Sequence, residues 1–261
     1  MKQINKKLKS YINKYKLNDL INYHDFKVKK HALMETVDRK NRTPVFPEWY
    51  DLVNLHRKII DNKIINVMEF GVGYSTIVMA HALKINEKKY GKYVKNNFRK
   101  KEPFKVFSID SDKKFINYNN SKIKKLNLKN YCKLIYSKTY LSTFNDRICS
   151  YYNTLPNILP DLIYIDGPGL YDVENSINGI NLRSIERFPL SGDLLKIEYT
   201  LLPGCIIIID GRKTNGRFLK NNFQRNWKYK EDYKNDYCEF YLNEKPIGQI
   251  NKKQINFSKN T

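Results

Sequence analysis

The stretch Ile64-Ile65-Asn66-Val67-Met68-Glu69-Phe70-Gly71-Val72-Gly73-Tyr74-Ser75-Thr76 decides the fold. Residues 64–70 are almost continuously apolar, which is typical of a strand buried on both faces of a parallel sheet. The two glycines of Gly71-Val-Gly73 allow a tight turn, and the hydroxyl residues after them can cap a helix from about Ser75 to Leu83. A strand, a glycine turn and a helix in this order predict an α/β protein.

Further apolar runs repeat this pattern downstream. We predict strands over Val106–Ile109, Cys132–Tyr136, Leu162–Ile165 and Cys205–Ile209. Helices over Lys113–Leu126, Tyr140–Leu155 and Phe218–Asn226, with a long crossover over 170–200, would connect them. The alternation predicts a doubly wound, Rossmann-like, mostly parallel sheet with right-handed crossovers. The alternating runs Trp227–Tyr233 and Tyr237–Leu242 predict a C-terminal antiparallel hairpin at one edge.

The chain divides into three parts. Residues 1–43 are polar and basic with a partial helical stripe, which predicts a helical N-terminal appendage. The prolines of Thr43–Pro47 interrupt it, and the Rossmann-like domain covers residues 44–245. Within that domain, we expect residues 84–105 to form a lysine-rich insertion, because their apolar residues show only a weak helical pattern. Residues 246–261 are expected to form a polar C-terminal tail.

The composition fits a single core in a reducing compartment. The chain has 261 residues, of which 41% are hydrophobic, and no apolar run approaches the roughly 20 residues that span a bilayer. The basic N-terminus has no apolar segment behind it, so we expect a cytoplasmic protein. The four cysteines form no metal-binding pair, and we expect Cys132 and Cys205 to be buried.

The formal net charge of +22 has two explanations. It could attract nucleic acid or another polyanion. It could also reflect coding bias, because lysine outnumbers arginine about fourfold while residues that share A/T-rich codons abound. Arginine is the better partner for phosphate and guanine. We therefore favour coding bias, while nucleic acid stays open as a partner.

Polar features follow four of the predicted strands. The first strand ends in the glycine loop, and three others end in Asp110, Asp166 and Asp210. In a doubly wound sheet, ligands bind beyond the carboxyl ends of the strands. The sequence therefore predicts that all four features lie at one edge and form the site.

The loop favours a cationic ligand without phosphates. A dinucleotide fingerprint has a third glycine where this chain has Thr76. Glu69 precedes the loop, and a carboxylate suits the ammonium and sulfonium groups of S-adenosyl-L-methionine better than a pyrophosphate. Asp110 can accept both ribose hydroxyls of an adenosyl group, or alternatively it caps the next helix.

These residues resemble class I S-adenosylmethionine-dependent methyltransferases. The resemblance covers roughly residues 49–242 and rests on segments 69–76, 107–110, 161–167 and 201–210. It implies that the cofactor-binding residues are Glu69, Gly71, Gly73, Tyr74, Ser75, Thr76, Asp110 and Asp166. It also implies that Asp166 lies near the transferred methyl group.

Within this family the pattern is most similar to small-molecule O-methyltransferases. In that branch the residues matching Asp166 and Asp210 bind a divalent metal, so the resemblance implies a Mg²⁺ ion on this pair. The asparagine that follows the second aspartate is replaced by Gly211. The lysine that this branch uses as general base is also missing, because Pro168 and Gly169 follow Asp166 and Gly167. Asp166 or Asp210 could act as the catalytic proton acceptor instead.

We therefore expect methyl transfer to oxygen on a small molecule or saccharide. Arg212 and Lys213 could bind an anionic acceptor or could form a solvated loop. Two other classes of function stay open. One is a nicotinamide-linked sugar oxidoreductase on a similar sheet, and the other is a non-catalytic polyanion-binding protein on the same fold.

Overall fold

The computed structural model describes residues 6–21, 48–169, 171–183 and 190–259. Its strands are β1 (Asn66–Phe70), β2 (Lys105–Asp110), β3 (Cys132–Tyr136), β4 (Thr139–Phe144), β5 (Arg147–Tyr152), β6 (Leu162–Ile165), β7 (Ile206–Asp210), β8 (Trp227–Asp232) and β9 (Tyr237–Leu242). Seven of them form one sheet in the order β3-β2-β1-β6-β7-β9-β8. The first five are parallel, and β9 is antiparallel to both of its neighbours. The doubly wound, mostly parallel sheet with a C-terminal antiparallel hairpin is confirmed.

Helices cover both faces of this sheet. They are α1 (Lys6–Tyr15), α2 (Trp49–Asp61), α3 (Tyr74–Asn97), α4 (Lys113–Lys125), α5 (Asp193–Ile197), α6 (Lys213–Asn222) and α7 (Gly248–Lys259). One cluster of buried side chains packs helices α1, α2, α3 and α4 against one face of the sheet. A second cluster packs α5 and α6 against the opposite face. The central strands are apolar on both sides because both faces are covered. No helix in the described part of the chain has the length and apolar composition needed to span a membrane.

The predicted helix over Tyr140–Leu155 is wrong. The segment forms a separate antiparallel hairpin of β4 and β5, closed by Asn145 and Asp146. Both turn residues have positive φ, at 45° and 61°, which is the geometry of a type I′ turn. Aromatic and β-branched residues dominate the two strands, and these side chains favour a half-buried pleated surface.

The lysine-rich insertion predicted over residues 84–105 belongs largely to α3. This helix does not end at Leu83 but continues to Asn97. Asn86 and Val94 are buried in its second half, at 1% exposure each, so packing stabilises a helix whose surface is almost entirely polar. Helix α6 also differs from the sequence prediction, because it begins at Lys213 and ends at Asn222.

Both ends of the described chain pack on the core. Ile12 and Leu17 of the N-terminal segment are 3% and 0% exposed. The Tyr11 hydroxyl lies 2.9 Å from Nδ1 of His56 on α2. Within the region expected to be a polar tail, α7 places Phe257 against Tyr93, with ring centroids 5.1 Å apart. The proline-containing segment Thr43–Pro47 lies outside the described residues.

The cysteines only partly follow expectation. Cys205 is buried at 3% exposure, as predicted. Cys132 is partly exposed, because β3 is the edge strand of the sheet and has a neighbour on one side only.

Candidate functional site

The four features at the strand ends lie side by side. Phe70 pairs with Ile109 on one side and with Ile165 on the other, and Ile165 pairs with Ile209. The residues that follow therefore appear along the carboxyl edge in the order Asp110, Gly71, Asp166, Asp210. Asp166 is next to the glycine loop, and Asp210 is one strand further away.

Two glycines bring the loops after β1 and β6 into backbone contact. Gly71 has φ +101°, and a Cβ atom there would lie 3.2 Å from the carbonyl carbon of Asp166. A Cβ on Gly167 would lie 2.9 Å from the nitrogen of Gly71 and 2.8 Å from the Tyr152 hydroxyl. Only glycine fits such a close approach without displacement. By contrast, a Cβ on Gly73 would meet only Ser75 Oγ within 4 Å, at 3.7 Å.

Glu69 holds the loop from beneath. Its side chain is 0% exposed and accepts hydrogen bonds from the hydroxyls of Ser75 at 2.5 Å, Thr76 at 2.6 Å and Ser108 at 2.5 Å. Burial raises the pKa of Glu69 to about 7, and the three hydroxyls oppose this shift. Its interactions connect β1 to the start of α3 and to β2.

The side chains that begin α3 face different ways. Thr76 is 0% exposed, and its Oγ1 accepts from the nitrogen of Gly73, the residue that precedes α3, at 3.1 Å. Tyr74 is 6% exposed, and its hydroxyl accepts from Lys122 Nζ at 2.6 Å. Both side chains are buried within the protein, so a ligand over the loop would meet backbone groups, together with the partly exposed Ser75.

Asp110 joins the second strand to the glycine loop. Its Oδ2 accepts from the Val72 nitrogen and its Oδ1 from the Asp112 nitrogen, both at 2.8 Å. Asp112, not Asp110, caps α4 by accepting from Lys114 and Phe115. Burial raises the pKa of Asp110 to about 6, and the two backbone donors oppose it. Each oxygen keeps a lone pair for a further donor.

Asp166 lies beside an arginine. Its side chain is 56% exposed. Partial desolvation raises its pKa, while Arg212 lowers it. Arg212 Nε lies 3.8 Å from Asp166 Oδ1. The guanidinium also donates to the carbonyl oxygens of Asp166 at 2.7 Å and Pro168 at 2.9 Å. Arg212 thereby holds the loop after β6, whereas Lys213 pairs with Asp236.

The aspartate pair does not offer a divalent metal a suitable set of ligands. Asp210 Oδ2 accepts from the Tyr164 hydroxyl at 2.9 Å, and burial raises the pKa of Asp210. The Arg212 cation beside Asp166 would repel a metal ion there. Within the described ranges, no group of three or more His, Cys, Asp or Glu side chains is arranged to hold a metal. Mg²⁺ usually needs carboxylates that keep their oxygens available.

Sequence reasoning missed two residues at this edge. Asp172 Oδ2 accepts from the Ser111 hydroxyl at 2.9 Å and the Gly169 nitrogen at 3.1 Å, which ties together the loops after β2 and β6. The Tyr152 hydroxyl, at the end of β5, is buried without a hydrogen-bond partner. The alternation of apolar and polar side chains in residues 139–152 could have suggested that Tyr152 lies on a strand. No local pattern in the sequence indicates that Asp172 belongs to this edge.

Neither a protein-family model nor a curated protein matches the chain. Several solved structures are similar to it. One is the O-methyltransferase TomG from Streptomyces achromogenes in complex with SAM, at 11% identity, covering 94% of this chain and 100% of that chain with a TM-score of 0.46. Another is the SAH-bound methyltransferase PaMTH1 from Podospora anserina, at 13% identity, 94% and 99% coverage and a TM-score of 0.48. A third is an O-methyltransferase from Bacillus cereus in complex with SAH, at 12% identity, 91% and 100% coverage and a TM-score of 0.42.

Proposed function

We propose that the protein is an S-adenosyl-L-methionine-dependent methyltransferase that acts on oxygen of a small molecule or saccharide in the cytoplasm. The observation that carries the proposal is the closed contact between Gly71 and Gly167, with Asp110 and Asp166 on either side of it. We infer a cofactor cleft over this contact, between the two carboxylates. An adenosyl group with a sulfonium and an ammonium matches the charge of these carboxylates.

The charges around the helix terminus disfavour a dinucleotide. Pyrophosphate binds at a helix N-terminus where backbone N–H groups are unopposed by anions. Here Glu69, Asp110 and Asp166 surround the start of α3. Burial raises the pKa of Glu69 and of Asp110, so a nearby cation would relieve the cost of ionising these two carboxyls. This favours the methyltransferase over the nicotinamide-linked alternative.

We assign the cofactor-binding roles by position. The backbone of Gly71, Gly73 and the first turn of α3 would hold the methionine end, and Glu69 would act by holding that backbone in place. Asp110 would accept from the ribose hydroxyls. The buried, unpartnered hydroxyl of Tyr152 would gain a partner when the cleft is filled. Bound S-adenosylmethionine would supply an electrophilic methyl group.

Asp166 is the group we expect to accept the proton of the acceptor hydroxyl. Its side chain is the more exposed of the aspartate pair, and its raised pKa suits proton transfer near neutral pH. Asp210 would assist from the next strand, where it keeps Tyr164 oriented. Because Arg212 stands beside Asp166, we expect turnover that EDTA does not abolish.

Calorimetry with S-adenosylhomocysteine and NAD tests the cofactor class. We expect S-adenosylhomocysteine to bind and NAD not to bind. Binding of NAD alone would overturn the proposal.

Asp110→Ala tests the ribose assignment. We expect it to weaken S-adenosylhomocysteine binding by roughly 1–3 kcal/mol, the range for losing a hydrogen bond to a charged group. Asp112→Ala is the matched control, because it removes the α4 cap without removing the carboxylate at the cleft. Unchanged affinity in Asp110→Ala would refute the assignment.

A further inference from the structure

Two long segments of the chain contain no acidic residue. Residues 88–101 hold seven basic residues, and residues 113–145 hold eight lysines, with neither Asp nor Glu in either segment. Strands β8 and β9 with their turn, residues 227–242, hold three basic and four acidic residues. Coding bias acts on the whole chain alike, so it does not explain this difference between segments.

The fold brings part of each basic segment, residues 88–97 and 124–131, to the same edge of the sheet. Asn86 on α3 donates to the carbonyl oxygens of Ile59 and Ile64 at 2.9 and 3.0 Å, just before β1 begins. Residues 87–97 of α3 therefore lie at or beyond the amino ends of the strands. Helix α4 and the turn after it reach the same edge, because Lys129–Tyr131 immediately precedes β3.

The turn of α3 that precedes the first basic segment contacts the chain just after α4. Lys84 Nζ on α3 donates to the carbonyl oxygen of Asn127, after α4, at 3.4 Å, and lies 6.0 Å from the ring centroid of Tyr131. Glu87 is the single acidic residue of α3. Partial burial raises the pKa of Tyr131, and the interaction with Glu87 helps to raise it. The exposed lysines on these segments form one basic face, defined here as Lys88, Lys92, Lys95, Lys124, Lys125 and Lys129.

The composition of the basic face distinguishes between two kinds of polyanion. Helices that bind membranes insert large apolar side chains into the lipid boundary. Among the described residues, the large hydrophobic side chains that are exposed are Tyr93, Tyr136, Leu159, Ile180, Tyr199, Tyr233 and Ile247. Only Tyr93 belongs to the helices that carry this face. Tyr93 is stacked on Phe257 of α7. A lysine-rich surface without exposed aliphatic anchors fits a phosphodiester backbone better than a lipid surface.

We propose that the basic face is a docking surface for nucleic acid, bound through its phosphates and without base specificity. Lysine contributes a point charge and does not make the bidentate contacts that arginine makes with guanine. The basic face would therefore contact the phosphates of the nucleic-acid backbone and not the bases. The surface lies at the amino ends of the strands, opposite the candidate cofactor cleft. It therefore does not depend on the proposed methyltransferase activity.

A variant in which four lysines of the basic face are replaced by neutral residues tests the surface. Lys88→Gln, Lys92→Gln, Lys124→Gln and Lys125→Gln are combined, since glutamine keeps the helix propensity while removing the charge. The control combines Lys220→Gln, Lys228→Gln, Lys230→Gln and Lys245→Gln, which lowers the net charge equally at exposed positions elsewhere. Thermal melts of both variants verify folding.

The probe is a fluorescein-labelled single-stranded RNA of about 20 nucleotides, followed by anisotropy between about 50 and 200 mM salt. We expect the wild type to bind with a steep salt dependence. The basic-face variant should bind at least about tenfold more weakly, with a salt slope smaller by roughly 0.7 for each phosphate that is no longer neutralised, whereas the control changes much less. Equal weakening in both variants would show general charge attraction and overturn the proposal. So would wild-type binding to phosphatidylglycerol vesicles without binding to RNA.

Discussion

Glu69 holds the glycine loop in place, and its raised pKa makes the stability of the protein depend on pH. Its pKa of about 7 in the folded protein exceeds the ordinary value of 4.5, so the folded state holds the proton more tightly than the unfolded state. This contribution to stability is complete below the unfolded pKa and is lost as pH rises through about 7.

Glu69→Gln measures this effect, because glutamine stays neutral throughout. Relative to the variant, the wild type should lose about 2–3 kcal/mol of unfolding free energy between about pH 5 and pH 8, given 1.36 kcal/mol for each pKa unit. Urea unfolding at both pH values measures the difference. A difference that does not vary with pH would contradict the assigned pKa direction.

Tyr152 offers two readouts from one atom. Its hydroxyl is buried without a partner, so Tyr152→Phe should raise the unfolding free energy of the free protein by about 1 kcal/mol. The same change should weaken S-adenosylhomocysteine binding several-fold if the hydroxyl meets the ligand. Tyr151→Phe is the control, because that hydroxyl already donates to the Thr143 carbonyl oxygen at 3.2 Å. Stabilisation without any loss of affinity would place Tyr152 outside the cofactor site.

The aspartates could be predicted because each follows an apolar run, and parallel strands end at a common edge. Tyr152 and Asp172 could not be predicted from the sequence as residues of the candidate site. They reach the same place from the β4–β5 hairpin and the crossover, whose paths depend on long-range pairing such as that between Thr139 and Val173.

At the scale of elements, the second half of α3 is the largest addition to the expected structure. Gly91 lies within it, and a Cβ there would meet Glu87 Cγ at 3.5 Å, an ordinary contact. Gly91→Ala should therefore raise the unfolding free energy by about 0.5–1 kcal/mol, because alanine favours a helix interior. Urea midpoints measure the change.

Gly179→Ala is the contrasting variant for that experiment. Its φ of +76° disfavours any residue with a Cβ, although open space surrounds it. We expect destabilisation by about 1 kcal/mol. If Gly91→Ala also destabilised the protein, residues 84–97 would not be helical.

The β4–β5 hairpin shows why a short apolar segment is ambiguous. Residues 140–155 contain aromatic and apolar side chains at spacings that fit a helix as well as a strand. Asn145 and Asp146 are a weaker turn signal than Asn-Gly. The strand is preferred because Ser150 bonds across to Leu190 and Gly192, which are far away in sequence.

For the whole molecule, the N-terminal segment tests where the domain begins. The sequence predicted residues 1–43 as an appendage, yet Leu17 is 0% exposed in the main core cluster. We propose that residues 6–21 are part of the folding unit. Leu17→Ala should then cost about 2–4 kcal/mol, as for other buried leucines.

Lys9→Ala is the surface control for Leu17→Ala, because Lys9 is exposed on the same N-terminal segment. It should change the unfolding free energy by less than about 0.5 kcal/mol. A Leu17→Ala effect as small as that of Lys9→Ala would restore the appendage as a separate unit. Both values come from urea unfolding.

The amino-acid sequence by itself determined the seven strands of the main sheet, the glycine turn and the edge at which the aspartates lie. These follow from local rules, because burial on both faces produces apolar runs and the tight turn at Gly71, with φ +101°, favours glycine. Only the tertiary structure decided that Arg212 stands beside Asp166, that Tyr152 lies under Gly167 and that lysines from two distant segments share one face. Such contacts join residues far apart in sequence, so no local pattern specifies them. They depend on how the hairpin, the crossover and the helices pack against the completed sheet.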